Sequence, residues 1–431
     1  RVAILDMPLA ALDPAINGIQ TVEWGGHDAV YGFGAQPAAL ALEIRDRHGT
    51  HPAGPNCDAS KRSAADYRRF VDDLVRGVRV KAALTRELLR RERWDFFAQV
   101  FTETHCVGHQ CWHLHDPTHP AHDPEFARRQ FDPLREVYRA VDQAIAGILE
   151  DAGDALVVVM SAHGMGSFHG AQFMLRDILV GLGVTALPAA PANHARPPGR
   201  LESTLRTAWQ RVPERVREQV WSLRHRVRSR RHHHATPATS PSPGVDLALS
   251  HCFPLSNGLG TGGIRLNLAG REPRGILQPG EDTERFVAAL TEDLLALVNE
   301  TNDQPLVARV LRTREHHAGA AIEALPDLIV EWNPAVPTGS RFVGSGVASR
   351  VIAASPKLGR LERENTYGRT GEHRPEGLFI ANGPSLPHQQ LSTPVSVLDF
   401  VPTFCALLDV DPPHTDGRAI EALIRHAPKG A

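Results

Sequence analysis

Three short segments of this chain concentrate the residue types that hold metal ions. The first is Phe101-Thr102-Glu103-Thr104-His105-Cys106-Val107-Gly108-His109, which runs on through Gln110-Cys111-Trp112-His113-Leu114-His115-Asp116. The second is Ser161-Ala162-His163-Gly164-Met165-Gly166, with His169-Gly170 close behind. The third is Gly371-Glu372-His373-Arg374-Pro375-Glu376-Gly377. Neutral imidazoles and carboxylates are the ligands that zinc and similar divalent ions take. Each segment alone reads equally as a surface loop with incidental histidines. Three of them, each beside an apolar run, have a simpler common cause in one metal site assembled from separate loops. A divalent ion lowers the pKa of a bound hydroxyl or water and stabilises charge on a transferring group, which is the chemistry of ester hydrolysis.

The elements that must position these residues follow from hydrophobic pattern. Short apolar runs predict strands at Val2–Leu5, Phe96–Phe101, Ala155–Met160, Ile264–Leu268, Leu328–Trp332 and Leu378–Ala381, of the kind buried on both faces of a sheet. Amphipathic stretches predict helices at Ala64–Arg91, Asp132–Glu150, Thr283–Asn299 and Val395–Leu408. Asp132 is placed to cap the second of these, with Pro133 in its first turn and Gly153 at its end. Strands alternating with helices imply an α/β fold with a mainly parallel sheet, and such sheets bind ligands at the carboxyl ends of their strands. Segments carrying His105 and His163 follow such strands, and the one carrying His373 lies just before strand Leu378–Ala381. The chain opens directly on a strand, so a preceding segment is expected.

Composition restricts the alternatives. The 431 residues carry a formal net charge of −2, with 42% hydrophobic and 22% charged residues, the profile of a globular protein with no global basicity to suit nucleic acid. The 23 histidines are many, and several are clustered. Five cysteines, at 57, 106, 111, 252 and 405, make an odd set without C-x-x-C spacing, which favours free thiols and a reducing, cytoplasmic compartment over a disulfide framework. No apolar run approaches the length of a membrane span. Residues 187–245 depart from the rest: an arginine-rich helical stretch gives way to His232-His233-His234 and a Pro/Ser-rich tail. They read as an insertion, a solvated basic helix and linker, between core portions 1–186 and 246–431.

The ordered set of motifs resembles the alkaline-phosphatase superfamily, in its type I phosphodiesterase/nucleotide pyrophosphatase branch. His105-Cys106-Val107-Gly108-His109, Ala162-His163-Gly164-Met165 and the late His373 carry the likeness. Leu398-Asp399-Phe400-Val401-Pro402-Thr403, Asp416-Gly417-Arg418 and Ile264 to Pro273 extend it. The resemblance implies a three-layer α/β/α architecture and hydrolysis of a phosphodiester or phosphoester in a small molecule. It implies divalent ions, zinc first, with His105, His109 and His373 on one ion and His163 on another. It implies a Ser or Thr nucleophile upstream of Arg1. Two positions depart from the pattern: His105 stands where the family has Asp, and Ala162, which has no ligand atom, stands where it has a second Asp. That leaves one or two ions open, with Glu103 and His169 as substitute or supporting groups. Arg265, Arg271 and Arg374 are the candidate contacts to substrate oxyanions. Two other readings are a sulfatase-like hydrolase and a non-catalytic metal- or ligand-binding relative, the latter favoured by Ala162. His27 and Asp28 are further candidates for the rim of the site.

Overall fold

A computed structural model describes residues 1–25, 32–54, 62–130, 132–188, 244–255, 257–343 and 349–425. His27, Asp28, Cys57 and residues 189–243 of the expected insertion lie outside them. The chain at either side of that segment meets itself: His251 N donates to Val184 O at 2.9 Å and Asp246 N to Ala186 O at 2.8 Å.

The fold is mixed α/β, with several sheets. Strand β1 (Val2–Leu5) pairs in parallel with β2 (Gly18–Val22) and with β4 (Phe96–Gln99), while β3 (Gly34–Gln36) closes the sheet antiparallel to β2. Helices α1 (Ala38–His48) and α2 (Ala64–Arg91) cover it through Ile44, Leu84 and Leu88, which pack on Ala3, Leu5 and Ile19. The start of α2 is set by a capping box, in which Ser63 and Asp66 satisfy each other's backbone N–H groups. Helix α3 (Glu103–His115), the short α4 (Pro124–Gln130) and α5 (Pro133–Ala152) follow. Tyr67, Phe70 and Leu74 of α2, Val107 and Cys111 of α3 and Leu134 and Val137 of α5 form one apolar cluster. Helix α5 begins as its sequence predicts: the Asp132 side chain accepts from Arg135 N, and Pro133 follows.

The remaining described ladders are antiparallel. β5 (Val157–Ser161) pairs with β16 (Leu378–Asn382), and β6 (Gly164–Ser167) with β15 (Gly371–Arg374). The largest core lies under the β11-β12-β8-β7 sheet, built from Val307–Arg312, Leu328–Trp332, Thr261–Leu266 and Cys252–Leu255. It buries α6 (Leu175–Gly181) and α7 (Glu281–Leu295) through Leu175, Ile178, Leu290 and Leu294. A further sheet runs β10-β9-β13-β14, from Gln304–Pro305, Val298–Asn299, Arg350–Ser355 and Gly359–Glu364. Helix α8 (Phe400–Leu407) lays Phe400 and Phe404 against Val158 and Phe379.

Three sequence expectations change here. Parallel pairing, expected to dominate, is found only at β2-β1-β4 among the described ladders. β5 and β16 are not covered on both faces, since Met160, Leu378 and Ile380 are exposed. Their neighbourhood explains this: among the described residues β5 pairs only with β16 and β4 only with β1, so each keeps an open edge. The stretch expected as a loop after Phe101 is the helix α3. Its polar histidines hide a buried face made of Cys106, Val107, Cys111 and Leu114, spaced by one, four and three residues.

Candidate metal centre

Helical geometry brings the first two histidines together. His105 and His109 are four apart on α3, so both project from one face. Strand β15 then crosses this face with His373. The Nε2 atoms of the three rings form a triangle with sides of 2.8 Å (His105 to His373), 3.1 Å (His109 to His373) and 3.2 Å (His105 to His109). His163, in the turn between β5 and β6, stacks beside His373 with ring centroids 4.0 Å apart and sits 5.7 Å from the His105 ring. The centre grades from interior to surface: His109 is fully buried and His373 exposed.

The close crossing needs two glycines. A Cβ on Gly371 would lie 2.1 Å from Gly108 O, an overlap that only backbone movement relieves. A Cβ on Gly108 would meet the Met165 methyl at 2.8 Å. Thr370 N and His109 O then bond at 2.7 Å and lock β15 to α3.

These residues fit a divalent ion. Two imidazole nitrogens on a tetrahedral zinc stand about 3.3 Å apart, near the observed triangle. His109 Nδ1 is 2.8 Å from Gly371 O and can only donate there, which leaves its Nε2 lone pair facing the other rings. His163 Nδ1 is likewise 3.0 Å from Gly164 O. Burial, with added repulsion from Arg369 and His105, pushes the His109 pKa far below the ordinary imidazole value. The ring is therefore neutral, the state that ligates. Among the described residues, His105, His109 and His373 are the group whose ligand atoms all approach within 4.8 Å.

The other expected residues lie apart from this triangle. Glu103 turns from the imidazoles into the protein, where Oε1 accepts from His51 Nε2 at 2.8 Å and faces Lys81 Nζ at 3.4 Å. His169 accepts from Arg374, which also donates to Ser167 O at 2.9 Å. Burial and then Arg374 lower the His169 pKa to about 4. Arg265 is buried against Glu272 at 2.7 Å and donates to Glu323 O and Leu325 O. Arg271 makes a bidentate pair with Asp327 at 2.7 and 2.6 Å. These last two arginines tie loops of the β8 sheet together, and the structure does not bring them to the imidazoles.

Two groups escaped the sequence reading. Lys81 is fully buried on α2, 3.5 Å from Asp6 and 3.4 Å from Glu103. Its signal was a lysine in phase with Leu74, Val78, Thr85 and Leu88 on the apolar face. Glu372 is also buried, with no signal beyond its position next to His373.

The described residues thus form a mixed α/β scaffold in which three histidines far apart in sequence converge. The family profile described as Type I phosphodiesterase / nucleotide pyrophosphatase matches residues 23–240, about half of the chain. The chain belongs to that family, part of the alkaline-phosphatase superfamily, and so to the phosphoester hydrolases at family level. The matched span contains His105, His109 and His163, while His373 lies beyond it. No curated protein and no solved structure gives a significant match. Among the described residues Cys106, Cys111, Cys252 and Cys405 form no disulfide, and no helix is long and apolar enough to cross a membrane.

Proposed function

We propose that this chain is a zinc-dependent hydrolase of small-molecule phosphodiesters or phosphoesters. The observation that carries the reading is the convergence of His105, His109 and His373, two helix residues and a strand residue far apart in sequence, on one point. When bound, a divalent ion supplies positive charge against the oxygens of the transferring group and lowers the pKa of an adjacent hydroxyl. The residues then have distinct tasks. His109, held by Gly371 O, is the rigid anchor. His105 and His373 complete the triangle, and His163, whose ring lies beside that of His373, would serve a second ion if one binds. Ala162 contributes no ligand atom, so the second position depends on other groups.

The nucleophile, a Ser or Thr, is assigned to a segment preceding Arg1. The test uses the protein with its native upstream segment. Metal content is measured, and turnover of an aryl phosphodiester is followed, for the wild type, His109→Ala and His373→Ala. Loss of metal and of turnover in both variants is expected. Equal metal in all three proteins would refute the centre. Stoichiometric metal without turnover of any phosphate or sulfate ester would favour the binding relative that Ala162 suggests.

A further inference from the structure

Ligating histidines work in pairs with a second partner: the ring nitrogen that does not face the ion donates to a carbonyl or carboxylate, which fixes the ring and raises its basicity. His109 has Gly371 O in this position and His163 has Gly164 O. For His373 the corresponding atom is Nδ1, and 3.8 Å from it lies Glu372 Oε1. That oxygen already accepts from His373 N at 2.9 Å, so the carboxylate is held beside the ring by the backbone of its own neighbour. The remaining gap to a hydrogen bond is about 1 Å, within reach of a small turn of the exposed His373 ring.

The surroundings of Glu372 give a second reason. The residue is 4% exposed, its Cγ packs by Gly260, and Oε2 is buried with no hydrogen-bond partner among the described residues. No Lys or Arg makes an ion pair with it among the described residues, and the charges of Arg369 and Arg374 reach it only from farther off. Arg374, on the same strand, is turned to Ser167 O and His169. An acidic group placed this way is unfavourable unless a nearby cation offsets it. Among the described residues the adjacent centre is made of imidazoles, and neither position 105 nor position 162 supplies a carboxylate. Glu103 cannot do so, being committed to Lys81 and His51.

We infer that Glu372 is a positioning residue of this centre, orienting His373 through Nδ1 and, through that ring, lending negative charge to a bound divalent ion. The inference rests on the metal-centre reading above. It extends to a residue outside the matched family span and compensates for the carboxylates missing at His105 and Ala162.

The probe is zinc alone, titrated against a chromophoric chelator, with the unfolding midpoint of each metal-free protein measured in parallel. Glu372→Gln keeps shape and removes charge. It is expected to weaken zinc binding about 10–100-fold while the metal-free midpoint stays near wild type. Glu372→Asp, which keeps the charge, is expected to restore part of the affinity. The double variant Glu372→Gln/His373→Ala is expected to bind no more weakly than His373→Ala, because the carboxylate acts through that ring. Wild-type affinity in Glu372→Gln overturns the inference and leaves the histidine centre standing. So does a Gln effect that persists undiminished in the His373→Ala background. A wild-type protein that binds no zinc overturns both.

Discussion

Replacing Lys81 by Met tests the least expected feature of the interior. The ammonium is fully buried, 3.4 Å from Glu103, 3.5 Å from Asp6 and 3.1 Å from Val100 O. Met fills much of the same volume without the charge. Asp6 would keep its bonds from Trp24 N and Gly25 N at 3.0 and 3.1 Å, so most of the loss falls on Glu103. Glu103 would keep His51, but its Oε2 is buried with no hydrogen-bond partner among the described residues even before the substitution. Removing one member of a buried, hydrogen-bonded ion pair costs about 3–5 kcal/mol. We therefore expect Lys81→Met to lose about that amount in urea denaturation, and Glu103→Gln in the same chain to recover part of it. The pH dependence carries a sign. In the native protein burial raises the Glu103 pKa, but Lys81 and His51 outweigh it and the net shift is downward. Its contribution is thus present above the unfolded carboxylate value, about 4.3, and is lost as pH falls through the lower folded value. Without Lys81 burial wins, the carboxyl takes up its proton at higher pH, and the penalty shrinks between about pH 8 and about pH 5. A loss under about 1 kcal/mol, or a larger one unchanged over that range, would refute this account of the cluster.

Other consequences can be checked directly. Gly371→Ala forces a Cβ into Gly108 O and should part β15 from α3, lowering zinc content sharply; Gly108→Ala meets only the end of Met165 and should do less, and equal retention of zinc in both variants would contradict the crossing. His113 and His119 are held neutral chiefly by burial, with folded pKa values lowered to about 3 and about 4. The unfolded chain therefore binds more protons below about pH 6.5, so stability should fall as pH drops from there toward those values, and His119→Gln should flatten the slope in denaturation series across that range. Arg271→Ala breaks the bidentate pair with Asp327 and should lower the unfolding midpoint by the equivalent of about 1–3 kcal/mol with zinc content unchanged, whereas lost zinc would place Arg271 at the centre after all.

Much was legible in the chain itself. Strand Val2–Leu5, strand Leu328–Trp332 and helix Ala64–Arg91 stand where periodicity placed them, because burial of a face at fixed spacing is a local property of sequence. Asp132 and Pro133 marked the start of α5 because a cap is made by neighbouring residues. The histidines that come together were likewise visible as candidates, since side-chain type marks groups able to ligate. What only tertiary structure decided was distance and partnership. His373 meets His105 because glycine at 371 and 108 lets a strand lie on a helix, a contact that no pattern around either residue encodes. Arg265 and Arg271 stood near family motifs yet are taken by Glu272 and Asp327. Glu103 read as a group for the metal and Lys81 went unread, yet the two share one interior cluster because three strand ends and a helix start close around them. A charge's surroundings are set by chain segments tens to hundreds of residues away, and its energy depends on those surroundings more than on its own identity.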